Sequence, residues 1–89
     1  MAKGEGRRAE RDSKQPEILV DARGLYCPLP ILRLAKAFGA AARGSVARLL
    51  ATDPASVEDV EVFCRERSHV LLKQEFEKGT FVFDVKKGP

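Results

Sequence analysis

Asp21-Ala22-Arg23-Gly24-Leu25-Tyr26-Cys27-Pro28-Leu29-Pro30 is the stretch on which the reading of this chain turns. Ahead of it, Ile18-Leu19-Val20 is a short apolar run with β-branched residues, which predicts a buried strand closed by Asp21 and Gly24. Behind it the period changes. Ile31, Leu34, Ala35 and Phe38 recur at helical spacing, with Arg33 and Lys36 on the other side, so a helix should begin at Pro28. Proline suits a first helical turn because the backbone N–H it lacks would find no partner within the helix. Pro28 and Pro30 therefore stiffen the turn and place Cys27 at or beside the N-cap. Gly24 lets the loop before it turn sharply. The positive end of the helix dipole is then expected to favour a thiolate at Cys27, with Arg23 adding positive charge nearby.

Outward from this centre the pattern continues. Gly39 and then Arg43-Gly44 end the first helix, and Val46 to Ala51 is the next strand. Asp53-Pro54 reads as a second helix start, with Asp53 as cap and Pro54 in the first turn, and capping alone accounts for both. Val57, Val60 and Cys64 then share one helical face. Val70 to Phe76 and Phe81 to Val85 are two further strands, joined at Lys78-Gly79 by a tight hairpin. The order β-α-β-α-β-β predicts an α/β (α+β) two-layer sandwich. Two helices should pack on one face of a four-stranded mixed sheet, with a parallel crossover first and an antiparallel hairpin last.

Size and charge narrow the function. With 89 residues there is one core and no room for a deep cofactor cavity, so chemistry should lie near the surface. The net charge of +3 is concentrated at the start. Residues 1–15 carry five basic and three acidic groups, and the rest of the chain carries eleven against ten. A nearly neutral folded part does not favour direct nucleic-acid binding. Residues 1–16 read as a charged, disordered tail ahead of a domain over 17–89. No apolar run approaches the ~20 residues of a membrane span, and the first residues lack the apolar core of a signal peptide, so a cytoplasmic location is expected. Free thiols are then the expected state of both cysteines.

The spacing removes several cysteine chemistries. There is no Cys-X-X-Cys pair, and Cys27, Cys64 and His69 are too scattered for a metal site. A single histidine forbids a Ser-His-Asp arrangement, and no phosphate-binding glycine loop occurs. Cys64 reads as core packing, and His69 as structural. Phe63, Phe76, Phe81 and Phe83 read as core or hairpin packing. Tyr26 is the aromatic placed to dock a partner, and Arg23, Arg33 and Lys36 are further docking candidates that also fit a solvated face.

Gly24-Leu25-Tyr26-Cys27-Pro28-Leu29-Pro30 resembles the Cys-Pro-X-Pro hallmark of the TusA/SirA-like sulfur carriers, in which it opens the first helix after Gly-Leu-X. Ala51-Thr52-Asp53-Pro54-Ala55, Phe63-Cys64 and His69 match as well, and the resemblance spans about residues 17–88. Ser68 departs from the many relatives that have glycine before the histidine. The resemblance implies a carrier, rather than an independent turnover enzyme, that needs no cofactor. A cysteine desulfurase or rhodanese-like donor would load Cys27 with sulfane sulfur as a persulfide, and a downstream acceptor protein would take it. The helix dipole would stabilise that persulfide as an anion. The family's pathways are tRNA thiolation, molybdenum-cofactor assembly and sulfur oxidation. Two rivals stay open: a non-catalytic regulatory or interaction module, and a thiol redox sensor in which Cys64 would have to pair with Cys27.

Overall fold

The computed structural model describes residues 16–89, and the tail expected at the start of the chain lies outside them except for Pro16. Among the described residues the elements run β1 (Ile18–Ala22), α1 (Leu29–Gly39), β2 (Val46–Ala51), α2 (Ser56–Arg67), β3 (Val70–Glu77) and β4 (Thr80–Lys86). This is the predicted order. The sheet is mixed, with strand order β1-β2-β4-β3, so the two edges are β1 and β3. Strand β1 pairs parallel with β2, with Val20 opposite Leu49 and Ala22 opposite Ala51. Strand β4 pairs antiparallel with both β2 and β3. Lys78 (φ 53°) and Gly79 (φ 81°) both take positive φ in the hairpin, as a two-residue turn matched to strand twist requires.

Alternation along the strands decides which face is covered. Val20 and Ala22, Ala47, Leu49 and Ala51, and Phe83 and Val85 point to one side and form the core with Leu34 and Phe38 of α1 and Val60 and Cys64 of α2. Leu34, Val60, Leu49 and Phe83 are fully buried. Burial of each such side chain contributes about 1.5–3 kcal/mol. The opposite face has no helix over it and carries the part-buried Arg48–Asp84 pair across β2 and β4, with two hydrogen bonds of 2.8 and 2.9 Å.

Leu19 corrects the sequence reading. The run Ile18-Leu19-Val20 suggested a strand buried on both faces, yet Leu19 is 67% exposed. Helices cover one side of the sheet only, and β1 lies at its edge, so its middle apolar residue faces water.

Helix α1 leaves Cys27 beside its N-cap, as expected, whereas the start of α2 differs from expectation. Pro28 is the N-cap of α1 and Pro30 its second helical residue, so Cys27 stands just outside the helix. Helix α2 begins at Ser56 with Ala55 at the N-cap, and Asp53 lies two residues ahead of that cap. At its end Ser68 adopts the left-handed conformation (φ 61°, ψ 33°) that glycine takes most easily, which gives the Ser68 departure its structural meaning. The last residues close the end of the sandwich distant from Cys27. Lys87 Nζ donates to the carbonyls of Phe38 and Ala41 (2.6 Å each), and the Gly88 N–H donates to His69 Nδ1 (2.9 Å).

Candidate functional site

The parallel pairing of β1 and β2 brings their carboxyl ends together, with Ala22 opposite Ala51. The loops that follow, Arg23 to Pro28 and Thr52 to Ala55, must therefore run side by side. They are tied at two points. The Gly24 N–H donates to Thr52 Oγ1 (2.9 Å), and the Cys27 N–H donates to Asp53 Oδ2 (2.8 Å). Asp53 Oδ1 accepts from the Ala55 N–H (3.1 Å), and the Asp53 carbonyl accepts from the Ser56 backbone and hydroxyl. One carboxylate thus bridges the start of α2 and the residue before α1. The expectation that capping alone explains Asp53 is corrected here: only one of its oxygens serves the α2 entry, and the other holds Cys27. The Cys27–Pro28 peptide is cis, and the Leu29 N–H donates to the Tyr26 carbonyl (2.8 Å), which completes the turn.

Cys27 is exposed, at the rim of an open groove of about 350 Å³ between α1 and α2. The groove is lined on the α1 side by Pro28 and Ile31 and on the α2 side by Glu58, Asp59, Val62, Phe63, Glu66 and Arg67. The Cys27 thiol is pushed above its ordinary value, first by a hydrogen bond to the Asp59 carboxylate, then by desolvation, then by the charges of Asp59 and Asp53. The expected thiolate at a helix mouth is therefore not what the geometry favours. Two causes are structural. Pro28 and Pro30 have no N–H, and that of Leu29 is spent on Tyr26, so the groups that carry the positive helix end are depleted where Cys27 sits. The nearest full charges are carboxylates.

Arg23 does not restore the balance. Its guanidinium is committed to Asp21 through bonds of 2.8 and 2.7 Å, which hold the Asp21 carboxyl down at about 2. Arg33 and Lys36 lie across α1 from the Cys27 groove, beside Leu19 and Asp21 at the β1 edge. Of the predicted docking residues only Tyr26 adjoins Cys27, and it is 74% exposed. Leu29 and Leu32, three residues apart on one face of α1, are 45% and 54% exposed and join Tyr26 as apolar surface near the cysteine. Sequence reasoning missed these two. The signal was present in the apolar run Leu29 to Leu32, which is broader than one buried stripe requires.

Gly24, with φ 81°, makes the positive-φ turn expected of it. Cys64 is buried on α2. His69 packs against the Phe38 and Phe63 rings at 4.8 and 5.0 Å and accepts from Gly88, which is a structural role. No cluster of three metal-ligating side chains exists among the described residues. No helix among them is long and apolar enough to cross a membrane.

Fold and site together define a small α/β sandwich that displays one exposed thiol where a parallel strand pair delivers two tied loops. Residues 18–87 match the family model described as Sulfurtransferase TusA. The Sulfur carrier protein TusA of Allochromatium vinosum is 44% identical over 68 residues, which cover 76% of this chain and 90% of that protein. The protein of the same name from Pseudomonas putida is 36% identical over 72 residues, covering 81% and 90%. The crystal structure of a SirA-like protein from Desulfitobacterium hafniense superposes with a TM-score of 0.70 at 23% identity, over 81% of this chain and 99% of that one, and shares the fold. The chain belongs to the TusA family.

Proposed function

We propose that residues 17–89 form a sulfur-carrier domain and that Cys27 is its carrier atom site. The observation that supports this most is the placement of Cys27: exposed, outside the first turn of α1, and held by its own backbone N–H to Asp53 at 2.8 Å. In loading, Cys27 Sγ attacks the outer sulfur of a donor persulfide. A Cys27 Sγ–S bond forms as the donor S–S bond breaks. The electron pair leaves on the donor cysteine, which takes up the proton that Cys27 gave away, and no external oxidant or reductant is needed. In unloading, an acceptor thiolate attacks the same outer sulfur and Cys27 is the leaving group. The donor is a cysteine desulfurase or a rhodanese-like protein, the acceptor is a downstream protein of a thiolation, cofactor-assembly or sulfur-oxidation route, and the setting is the cytoplasm. Tyr26, Leu29 and Leu32 supply the apolar contact for these partners.

Burial of Cys64 and its place in the core argue against the redox-sensor alternative. The test is mass spectrometry after incubation with a cysteine desulfurase and L-cysteine. One added sulfur on the peptide bearing Cys27, absent in Cys27→Ser, is the expected result. No adduct from either a desulfurase or a rhodanese charged with thiosulfate would overturn the proposal.

A further inference from the structure

Thr52 and Asp53 play no part in the relay as described, yet they hold both ends of the segment that presents the thiol. We infer that Thr52 and Asp53 are positioning residues for sulfur transfer, clamping the Gly24–Cys27 loop so that Cys27 Sγ meets a donor persulfide in line. This inference rests on the proposed carrier role of Cys27.

The clamp has two jaws of different character. Thr52 Oγ1 accepts from Gly24, at the residue whose positive φ turns the loop. Asp53 Oδ2 accepts from Cys27 itself. Pro28 follows immediately and has no N–H to offer, so the Cys27 N–H is the last backbone donor before the helix by which the loop is tied to its neighbour. Asp53 is anchored in turn, because its second oxygen holds Ala55 and its carbonyl holds Ser56. With the backbone fixed at Gly24 and Cys27, the side-chain rotation of Cys27 is what remains to place Sγ. Attack on a persulfide needs the two sulfurs and the leaving sulfur aligned, and a displacement of about 1 Å at such a centre costs up to about a hundredfold in rate. Aspartate suits the second jaw better than asparagine. Both of its oxygens receive N–H groups, whereas asparagine would turn its amide N–H₂ toward one of two donors.

The same carboxylate also disfavours the thiolate. Positioning and charge therefore pull small-molecule reactivity and protein-to-protein transfer in opposite directions, which makes the roles separable. The experiment compares wild type, Thr52→Val and Asp53→Asn in two assays: loading by a cysteine desulfurase charged with L-cysteine, and alkylation by iodoacetamide across pH. Thr52→Val is expected to load about tenfold more slowly with its alkylation midpoint unmoved. Asp53→Asn is expected to load about tenfold more slowly while its alkylation midpoint moves down and its alkylation at neutral pH becomes faster. An unfolded chain would also load slowly and alkylate fast, because its thiol returns to its ordinary value. Thermal melts of all three chains therefore establish that each variant is folded at the assay temperature, and Thr52→Val, slow to load with its alkylation midpoint unmoved, carries the signature that unfolding cannot give. Loading of either variant within twofold of wild type overturns the clamp and leaves the carrier role of Cys27 standing. Failure of wild type to load overturns the carrier role and the clamp with it.

Discussion

Leu34 and Leu32 lie two residues apart on α1 and have the same side chain, yet the structure assigns them opposite duties. Leu34 is fully buried in the core against the sheet, whereas Leu32 is 54% exposed on the side of Tyr26 and Leu29. Truncating a buried leucine to alanine removes its transfer free energy and leaves a cavity, a loss of about 2–5 kcal/mol in cores of this kind. In a domain of this size each kcal/mol moves the melting temperature by roughly 4–8 °C. A mid-range loss of about 3 kcal/mol for Leu34→Ala thus lowers Tm by roughly 12–24 °C. Leu32→Ala removes little buried area, and substitutions at such exposed sites stay within about 0.5 kcal/mol, or a few degrees. Function should divide the other way. Assayed well below its melting temperature, Leu34→Ala keeps the Cys27 loop and loads sulfur at close to the wild-type rate, whereas Leu32→Ala melts normally and loads several-fold more slowly for want of a partner contact. Thermal melts by circular dichroism and desulfurase loading followed by mass spectrometry read the two axes. A fall in Tm of less than 4 °C for Leu34→Ala would refute the core assignment. Wild-type loading by Leu32→Ala would refute the apolar docking surface.

The other predictions concern single groups. Ser68→Gly relieves the left-handed conformation at the end of α2 and should raise stability by about 0.5–1 kcal/mol, read as a higher melting temperature; no rise would mean that the serine conformation carries no strain. Burial, and then the charges of Arg67 and Lys87, hold the His69 imidazole below its ordinary value of 6.5. The unfolded chain therefore binds the proton first. The contribution of neutral His69 is fully present above 6.5 and is lost as pH falls through the lower folded value. The drop in Tm on acidification from pH 7.5 to pH 5.5 should be flatter in His69→Gln, which keeps an acceptor for the Gly88 N–H; an unchanged slope would exclude the histidine as its cause. Asp59→Asn removes the first cause of the raised Cys27 thiol, so the pH midpoint of Cys27 alkylation should move down, and an upward move would contradict the hydrogen bond.

The elements were legible in the sequence because each rests on local signals. Lys78-Gly79 fixes the hairpin, Gly24 the turn, and the spacing of Ile31, Leu34 and Phe38 the buried face of α1. Cys27 was legible for the same reason, since the prolines that flank the helix start are its immediate neighbours. What sequence reading misjudged is non-local. Asp53 looked like a cap because a cap is the local use of an aspartate before a helix. Its bond to the Cys27 N–H exists only because β1 and β2 are parallel and bring two distant loops together. Leu19 looked buried because a run of apolar residues does not say whether one face of a strand or both are covered. Arg23 is the exception, since the Asp21 that claims it is only two residues earlier and lay within reach of a local reading.

The electrostatics of Cys27 bear on why a carrier would place its sulfur here at all. A thiol raised by Asp59 and Asp53 is a worse leaving group than an ordinary one, because the ease of expelling a thiolate falls as its basicity rises. In the proposed relay, transfer onto Cys27 from a donor cysteine of lower pKa is favoured at equilibrium, because the less basic thiolate is the better leaving group. The persulfide is thereby protected from stray exchange with small thiols, for which Cys27 would have to depart as the basic thiolate that its carboxylate neighbours disfavour. Positive charge set against Asp59 and Asp53 would lower the cost of the departing thiolate. Depletion of the helix-mouth donors by Pro28 and Pro30 contributes to the same end, since a strong dipole would have made Cys27 a good leaving group toward every thiol it met. The Cys-Pro-Leu-Pro stretch thus holds the cysteine at a helix start while withholding much of the helix's charge from it.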